Sequence, residues 1–507
     1  MNEPGAVFLV GAGPGDPGLL TVRAAELLAR ADVVVHDGLV PPILLERARP
    51  DAEKIYAGKK RGGGTATLDQ RAIEALLIDR ARAGKQVVRL KGGDPMVFGR
   101  GGEEAAALAA AGIPYEIVPG VSALSAVPAY AGIPLTLRGV ARSVAVASGH
   151  EDEGGLDDAA LARLATADTV VLFMAATRLE RVATALIAGG KAPTTPVAVI
   201  RWGTTPAQEV VETTLGAAAA GTGPTARPPA LVIVGDVVRE RTKLDWLRAR
   251  RPLTGTRVLV TREGGGREPL ARKLAQLGAD VVHHPVTHTR ELGLRPLHDA
   301  LARGGHRWLV VTSQRAVGPL YVVMQSAGKD ARSLAGLRVA AVGGATAGAL
   351  AALGLRVDVE GTGGAAALAD AILAADPQLA GAKILFPRAA SAREELPAKL
   401  AAAGAIVDAI DVYTTEAIAP AALATLAAEL RAGAWHALVV AAPSQVDALA
   451  AALGADLAPT LARLRAVAAI GPTTAAALAA HGVASPLVAP TPDALAATLA
   501  AHLTEVR

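Results

Sequence analysis

Residues 7–37 read VFLVGAGPGDPGLLTVRAAELLARADVVVHD, and the order of segments in this stretch decides the fold class. The apolar run Val7–Val10 predicts a strand, a Gly/Pro-rich turn follows, an Ala- and Leu-rich run predicts a helix, and Asp32–His36 predicts a second strand. Two strands joined through a helix indicate parallel pairing. The same alternation continues along the chain, so we predict an α/β protein built from buried parallel strands.

Later segments repeat this alternation. The other predicted strands of the first half are Gln86–Leu90, Tyr115–Val118, Val144–Ala147, Thr169–Met174, Val197–Ile200 and Leu231–Val234. A capping-box pattern, Thr67-x-x-Gln70, predicts the start of a helix between two of them. The segment Gly132–Leu135 is typical of a hinge, so the first half divides into two α/β blocks.

Composition excludes several classes of function. The chain has 507 residues, with 51 Lys and Arg against 47 Asp and Glu, so its net charge is only +4 and a nucleic-acid-binding tail is not expected. The absence of cysteine excludes disulfides, thiolate metal sites and a cysteine nucleophile, and is consistent with a reducing compartment. No apolar run is long enough to predict a membrane span, and the first apolar run is broken by glycines, unlike a signal peptide. We therefore expect a cytoplasmic protein.

The first glycine loop, Gly11–Asp16, resembles a dinucleotide fingerprint only in part. Pro14 has no N–H to offer a pyrophosphate, and Asp16 stands where the third glycine of that fingerprint would fall. An acidic loop of this kind favours a neutral or cationic ligand over a nicotinamide nucleotide. A strand-to-helix turn without a ligand is the alternative.

The chain divides near a charged, Pro-ended run. We predict a first half at 1–245, with subdomains at about 1–135 and 136–245, a linker at 246–254, and a second half at 255–507. Sequence blocks recur in the second half at offsets of 126 to 129 residues: Arg257–Arg262 with Lys383–Arg388, Leu309–Ser313 with Leu438–Ala442, and Val339–Gly343 with Val467–Gly471. Two similar α/β lobes facing a cleft are expected, because ligands commonly lie between lobes.

Motifs in the first half carry a family resemblance. In order they are VGAGPGDPGLLT (10–21), DGLV (37–40), GK (58–59), VRLKGGDP (88–95), FGRGGEE (98–104), VPG (118–120) and AGIPLT (131–136). This series resembles the uroporphyrinogen-III C-methyltransferases of the tetrapyrrole methylase family. The resemblance implies a two-domain fold, usually a homodimer, that binds S-adenosyl-L-methionine between its domains, releases S-adenosyl-L-homocysteine and needs no metal.

The resemblance also implies roles for individual residues. The cofactor-binding residues would be Pro14, Gly92, Gly93, Asp94, Val97, Ser122, Ala123, Met174 and Gly203. Asp37 would accept a proton and Lys59 would donate one, although the adjacent Lys60 leaves open which lysine faces the site. A substrate with eight carboxylates calls for cations, for which Arg100 and Arg138 are candidates. Helix capping by Ser122, core packing of Met174 and solvated surface positions for the arginines are the structural alternatives.

The repeated blocks of the second half resemble uroporphyrinogen-III synthase. That family is two-lobed and free of cofactors, and the resemblance covers about 253–507. Its tyrosine corresponds to Tyr413, which would protonate or orient a leaving hydroxyl or, alternatively, only line the cleft. The substrate-binding residues would be Arg262, Thr312, Ser313, Thr346, Arg388, Ser444 and Thr473.

Together the resemblances imply one enzyme for two consecutive steps of tetrapyrrole synthesis. The second half would cyclise hydroxymethylbilane, and the first half would methylate the product twice to give precorrin-2, toward sirohaem or cobalamin. The alternative is another precorrin methylase fused to an inactive two-lobed tetrapyrrole-binding module. Supplying the tetrapyrrole precursor with and without the methyl donor distinguishes these possibilities.

Overall fold

The computed structural model describes residues 5–58, 68–149, 157–225, 227–264, 268–361 and 364–505. Within these residues the strands form four sheets, each covered by helices, in agreement with the predicted α/β class. Strands and helices are numbered below in chain order. No helix among the described residues is long and apolar enough to cross a membrane.

The first sheet is wholly parallel, with strand order β3-β2-β4-β1-β5. Its strands are β1 (Ala6–Gly11), β2 (Val33–His36), β3 (Glu53–Tyr56), β4 (Gln86–Lys91) and β5 (Tyr115–Val118). Its helices are α1 (Val22–Arg30), α2 (Pro42–Leu45), α3 (Gln70–Arg82), α4 (Gly101–Ala110) and α5 (Ala123–Tyr130). Apolar clusters cover both faces of the sheet, so its loops meet at the carboxyl ends of the strands, where ligands commonly bind in α/β proteins.

Helix α3 begins with a different cap from the predicted one. Its N-cap is Asp69, whose carboxylate accepts a hydrogen bond from the Ala72 backbone N–H at 2.8 Å. Thr67 lies outside the described residues. Aspartate is as good an N-cap as threonine, so the position of the helix is retained although its cap changes.

The second sheet has strand order β6-β7-β10-β8-β9 and is mostly antiparallel. Its strands are β6 (Val144–Ser148), β7 (Thr169–Phe173), β8 (Pro196–Arg201), β9 (Glu209–Thr214) and β10 (Ala230–Val234). Its helices are α6 (Asp158–Arg163), α7 (Leu179–Ala188), α8 (Leu215–Ala219), α9 (Arg241–Leu244) and α10 (Trp246–Arg250). Parallel pairing throughout was therefore a wrong prediction, because β10 runs antiparallel to both β7 and β8. The short loop at 202–208 also joins β8 to β9 without the crossover that a parallel pair needs.

The second half forms two lobes around two further sheets. Lobe one, order β12-β11-β19-β20-β21, contains β11 (Arg257–Val260), β12 (Asp280–His283), β19 (Ala437–Val440), β20 (Ala466–Ile470) and β21 (Leu487–Ala489), with α11 (Pro269–Gln276), α17 (Ala424–Arg431), α18 (Pro443–Leu453), α19 (Leu457–Leu461), α20 (Pro472–Ala480) and α21 (Pro492–Glu505). Lobe two, order β13-β18-β17-β14-β15-β16, contains β13 (Thr287–Glu291), β14 (His306–Val311), β15 (Arg338–Val342), β16 (Val359–Gly361), β17 (Lys383–Ala389) and β18 (Ile406–Ala417), with α12 (Arg295–Arg303), α13 (Val317–Ser326), α14 (Gly343–Ala352), α15 (Ala365–Ala375) and α16 (Glu395–Ala402).

Each lobe takes strands from both copies of the sequence repeat. In lobe one, β11 of the first copy pairs with β19 of the second, whereas in lobe two β17 of the second copy pairs with β14 of the first. The shared part of the two sheets has the same order, with β12-β11-β19-β20-β21 matching β18-β17-β14-β15-β16. The chain therefore crosses between the lobes twice, between β12 and β13 and again after β18.

Candidate active sites

Three loops of the first half meet through glycine backbones. Gly11 ends β1, Gly93 follows β4 and Gly120 follows β5, and these strands are neighbours in the sheet. A Cβ atom on Gly120 would lie 2.3 Å from the Gly93 carbonyl oxygen and 2.7 Å from the Gly11 Cα atom. The Gly13 and Gly93 backbones also exchange hydrogen bonds, at 3.2 and 2.7 Å. Only glycine permits this approach, and we call the cleft formed by residues 11–16, 92–99 and 120–123 the glycine-loop site.

The predicted proton acceptor lies directly against this site. Asp37 follows β2, and its Oδ2 atom accepts a hydrogen bond from the Gly92 N–H at 3.2 Å. Its Oδ1 atom accepts another from the Leu39 N–H at 2.9 Å. A half-buried carboxylate is thereby fixed beside the second glycine loop, although Asp37 and Gly92 are 55 residues apart in sequence.

Asp94 and Ser122 hold the loops in place. Asp94 Oδ2 accepts a hydrogen bond from the Gly120 N–H at 2.9 Å, and its Oδ1 accepts one from the Met96 N–H at 2.7 Å. Ser122 caps α5 by accepting from the Leu124 N–H, with Ala123 as the first helical residue. The structural alternative noted for Ser122 is therefore observed. Capping does not remove Ser122 from the cleft, because Gly120 and Ala123 adjoin it.

The second sheet supplies the other wall of the site. A Cβ atom on Gly203 would lie 2.5 Å from the Val127 side chain, which places the loop after β8 against α5. Phe173, at the end of β7, contacts the ring of Phe98 with centroids 4.9 Å apart. Met174 is 46% exposed, so the alternative of core packing does not hold for it.

Non-glycine residues with positive φ cluster in these loops: Phe98, Arg100, Met174, Trp202 and Thr204 have φ between 48° and 67°. Such conformations cost about 1–3 kcal/mol each and concentrate at functional sites. Arg100 and Met174 were predicted as site residues, whereas Phe98, Trp202 and Thr204 were not, because none of these residue types signals a left-handed conformation.

Asp16 is not an unpaired charge, which corrects one step of the sequence argument. Its carboxylate accepts a hydrogen bond from the Tyr130 hydroxyl at 2.8 Å and pairs with Arg251 at 2.6 Å. The repulsion of anions expected from Asp16 is therefore largely compensated, and the missing N–H of Pro14 is the part of that argument that remains.

A buried ionic triad supports the second glycine loop and was missed by sequence reasoning. Glu104 of α4 is fully buried, and its Oε1 accepts hydrogen bonds from Arg89 at 3.1 Å and Lys91 at 2.9 Å. Its Oε2 is buried and has no hydrogen-bond partner among the described residues. Burial, and next the nearby Arg89 charge, lower the pKa of Lys91. Lys91 immediately precedes Gly92, so this cluster lies directly beneath the site.

The structure describes two of the three predicted cationic residues of the first half, and they stand on different loops. Arg100 is exposed and pairs with Glu103 at 2.7 Å, while Arg138 lies on an exposed turn and lines a shallow cavity with Thr136 and Arg142. Lys59, like Lys60, lies outside the described residues. Of the predicted catalytic pair, therefore, only Asp37 is placed by the structure.

In the second half, the predicted polar residues lie in matching places on the two lobes. Thr312 and Ser313 follow β14, as Ser444 follows β19. Thr346 lies in the first turn of α14 after β15, as Thr473 lies in the first turn of α20 after β20. All of these positions are at the carboxyl ends of parallel strands. Helix N-termini at such ends present free backbone N–H groups, which bind carboxylates well.

The predicted arginines of the second half are paired within their own lobes. Arg262 hydrogen-bonds to Glu268, and Arg388 pairs with Glu394 at 2.7 Å and Asp411 at 3.0 Å. Burial, and next the charge of Arg315, lower the pKa of Arg262.

Arg315 connects the two lobes. It belongs to lobe two, pairs with Glu263 of lobe one at 3.4 Å and lies near Arg262. The candidate arginine of lobe one therefore faces lobe two.

Tyr413 lies in β18 and is mostly buried. Its side chain is 7% exposed and belongs to the apolar cluster of lobe two, together with Leu385 and Val412. Its hydroxyl makes no hydrogen bond to a described residue. Among the described residues, no group of three or more His, Asp or Glu side chains is arranged to hold a metal ion.

Comparison with known proteins identifies both halves. Residues 6–219 match the family model of tetrapyrrole (corrin/porphyrin) methylases, and residues 268–498 match that of uroporphyrinogen-III synthase HemD. The chain is 48% identical over 250 residues to a uroporphyrinogen-III C-methyltransferase from Sinorhizobium sp., covering 49% of this chain and 89% of that protein. The chain belongs to the tetrapyrrole methylase family and carries a uroporphyrinogen-III synthase domain in its second half.

Two further relatives each match about half of this chain. A siroheme synthase from Azotobacter vinelandii is 49% identical over 248 residues, which are 49% of this chain and 53% of that protein, so the chain spans about half the length of such relatives. A uroporphyrin-III C-methyl transferase from Thermus thermophilus, solved in complex with S-adenyl homocysteine, is 45% identical, covers 46% of this chain and 99% of that one, and has a TM-score of 0.41.

Proposed function

We propose that this chain is a bifunctional enzyme of tetrapyrrole synthesis. Its second half cyclises hydroxymethylbilane to uroporphyrinogen III, and its first half methylates that product twice with S-adenosyl-L-methionine to give precorrin-2. The observation that carries the proposal is the hydrogen bond between the Asp37 carboxylate and Gly92, because a carboxylate held against the glycine loops supports a role for Asp37 as the proton acceptor. Membership of both families supports the order of the two reactions, because the product of one is the substrate of the other.

The glycine-loop site fits a sulfonium cofactor. The close backbone contacts of Gly11 and Gly120 leave no room for a Cβ atom at either position, and the Asp37 and Asp94 carboxylates favour a cationic ligand. We propose that Pro14, Gly92, Gly93, Asp94, Val97, Ser122, Ala123, Met174 and Gly203 bind it. When bound, the cofactor supplies an electrophilic methyl group to a pyrrole carbon.

The residues of the first half then have two tasks. The loops must hold the methyl group in line with the attacking carbon, and positioning of this kind contributes up to about 7–11 kcal/mol in intramolecular reactions. Each methylated ring must also lose a proton, which Asp37 is placed to accept. Lys59 remains the proposed donor of the proton needed elsewhere on the macrocycle, while Arg100 and Arg138 are proposed to bind substrate carboxylates.

The second half is proposed to act mainly by shaping its substrate. Loss of the hydroxyl group from hydroxymethylbilane gives a stabilised cation, so few catalytic groups are needed. We propose that Thr312, Ser313, Thr346, Ser444 and Thr473 bind carboxylates from both lobes, assisted by Arg262 and Arg388. Tyr413 is the proposed hydrogen-bond donor to the leaving hydroxyl, a role that requires its buried ring to border the cleft. A homodimer formed through the first half and a cytoplasmic location complete the proposal.

The test supplies hydroxymethylbilane to the purified chain with and without S-adenosyl-L-methionine. Formation of uroporphyrinogen III without the methyl donor, and addition of two methyl groups when it is present, are the expected results. If the chain methylates supplied uroporphyrinogen III but forms none above the enzyme-free background, the second half is an inactive binding module. If neither product forms, the whole proposal fails.

A further inference from the structure

The segment between the two halves is bound to the first half. Trp246, the first residue of α10, donates a hydrogen bond from its indole N–H to the Ala129 carbonyl at 2.8 Å. Its ring also contacts that of Tyr130 edge-on, with centroids 5.3 Å apart. A few residues later Leu253 is fully buried in the apolar cluster of lobe one, and the Gly255 N–H donates to the Pro206 carbonyl at 2.6 Å. The segment therefore contacts both halves.

Arg251 of this segment reaches the first glycine loop. Its guanidinium pairs with Asp16 Oδ2 at 2.6 Å, and the two side chains are 26% and 11% exposed. The same oxygen accepts the Tyr130 hydroxyl at 2.8 Å, and the Arg251 guanidinium lies 5.3 Å from the Tyr130 ring centroid. One carboxylate oxygen of the loop is thus held from two directions.

Asp16 also hydrogen-bonds to the first glycine loop and to the loop after β8, which form two walls of the site. Its Oδ1 atom accepts a hydrogen bond from the Gly18 N–H at 2.8 Å, and its own N–H donates to Thr204 Oγ1 at 3.1 Å. Thr204 is buried, has a φ of 67° and is held by Gln208, whose side chain also donates to the Tyr130 carbonyl. Loosening Asp16 would therefore free the first loop from the loop after β8.

We propose that Arg251 is a positioning residue of the glycine-loop site, which keeps the loop at 11–18 in the conformation that binds the methyl donor. This inference rests on the function proposed above. Gly13 and Gly15 both adopt positive φ, and glycine loops lose much conformational freedom when they bind a ligand. A loop already held by an ion pair loses less conformational entropy when the ligand binds. Arg251 is therefore expected to raise the affinity for the methyl donor rather than the rate of methyl transfer.

The test compares full-length variants in both activities. Arg251→Ala is expected to raise the Kd for S-adenosyl-L-homocysteine, measured by calorimetry, and the KM for the methyl donor by about tenfold. The kcat at saturating donor and the conversion of hydroxymethylbilane are expected to stay within about twofold of the parent chain. Arg251→Lys should recover most of the affinity, because a lysine retains a charge at this position.

Two further variants make the test specific. Arg250→Ala, in the adjacent exposed arginine, is the matched control and should behave as the parent does. Asp16→Asn removes the ion pair from the other side, so adding Arg251→Ala to it should raise the Kd by less than about twofold further.

The outcomes separate this inference from the proposed function. A parent chain that binds no S-adenosyl-L-homocysteine overturns both. A parent that binds it, with Arg251→Ala equally tight, overturns only the role of Arg251. An equal loss in Arg250→Ala, or full additivity with Asp16→Asn, also overturns it. If Arg251→Ala does not fold, Asp16→Asn decides, because it removes the same ion pair: a Kd equal to that of the parent chain overturns the role of Arg251.

Discussion

In the first half, loops from adjacent strands touch through glycine backbones, whereas in the second half the candidate residues stand on two lobes and the two candidate arginines bind acidic side chains of their own lobe. In the first half, Gly120 has no space for a Cβ atom beside Gly93. In the second half, the Arg388 guanidinium forms ion pairs with Glu394 and Asp411. A site built by backbone contact fixes its residue types, because only glycine fits. A cleft that folds a flexible substrate can use many polar residues, so its sequence is less restricted.

This comparison predicts the largest effect for Asp37. Asp37→Asn should lower methyl transfer by about 10²–10⁴-fold, because a general base contributes that much, while conversion of hydroxymethylbilane is unchanged. Asparagine has a single acceptor oxygen, so it can replace only one of the hydrogen bonds that Asp37 accepts from Gly92 and Leu39. Methyl transfer is therefore compared at saturating methyl donor, and the Kd for S-adenosyl-L-homocysteine is measured beside it. Asp51→Asn, at an exposed position, is the control. Parental methyl transfer in Asp37→Asn would remove its assignment as the proton acceptor.

The buried triad should dominate the stability of the first half. Glu104→Gln removes the carboxylate shared by Arg89 and Lys91, and breaking a buried ion pair costs about 3–5 kcal/mol in the free energy of unfolding. Glu103→Gln breaks the neighbouring exposed pair with Arg100 and should cost less than about 1 kcal/mol. Urea unfolding, scored on the transition that S-adenosyl-L-homocysteine shifts, measures both. Equal costs would show that burial of Glu104 contributes no special stability.

Tyr413 should have a smaller effect than Asp37, because the substrate of the second half supplies much of its own reactivity. Tyr413→Phe is expected to slow the cyclisation of hydroxymethylbilane by about tenfold or less, which is the loss of one hydrogen bond. Tyr321→Phe, an exposed tyrosine of the same lobe, is the control. A loss of a thousandfold or more would mean that both halves depend on a dominant catalytic side chain, contrary to the comparison.

The smallest effect concerns alkaline pH. Burial, and next the hydrogen bond to Asp16, raise the pKa of Tyr130 to about 12 from its ordinary value near 10. The folded state then holds a proton that the unfolded state loses, so this contribution is complete below pH 10 and disappears between about pH 10 and 12. It cannot exceed about 1.4 kcal/mol per pH unit, and partial exposure reduces it.

The Tm should therefore fall less steeply with rising pH in Tyr130→Phe than in the parent chain over this range. Tyr321→Phe should follow the parent. Identical slopes for the parent and Tyr130→Phe would show that the Tyr130 hydroxyl is not held by Asp16 in solution.

The sequence predicted the α/β class and most strands of the first half, because apolar runs such as Val7–Val10 carry a local signal. It did not predict β9 (Glu209–Thr214), because this strand lies at a sheet edge and four of its six residues are polar, so it has no apolar run. It also did not reveal the exchange of strands between the lobes, because a repeat shows which segments are alike and not which of them pair.

The sequence predicted the location of the first site better than the detailed contacts of either site. Gly93 and Gly120 belong to glycine motifs that indicate close backbone contact, so the first site could be located from the sequence. The positive φ of Phe98 and the pairing of Asp16 with Arg251, 235 residues away, depend on tertiary contacts that have no local pattern. Burial of Tyr413 likewise depends on the strands that surround it.

The most direct measurement is a calorimetric titration of the purified chain with S-adenosyl-L-homocysteine, repeated with a nicotinamide nucleotide and with the variants Gly120→Ala and Gly102→Ala. We expect one binding site per chain, no binding of the nucleotide, loss of binding in Gly120→Ala, and normal binding in Gly102→Ala, where a Cβ atom meets nothing within 4 Å. A parent chain that binds the nucleotide and not S-adenosyl-L-homocysteine, or full affinity in Gly120→Ala, would contradict the account of the glycine-loop site.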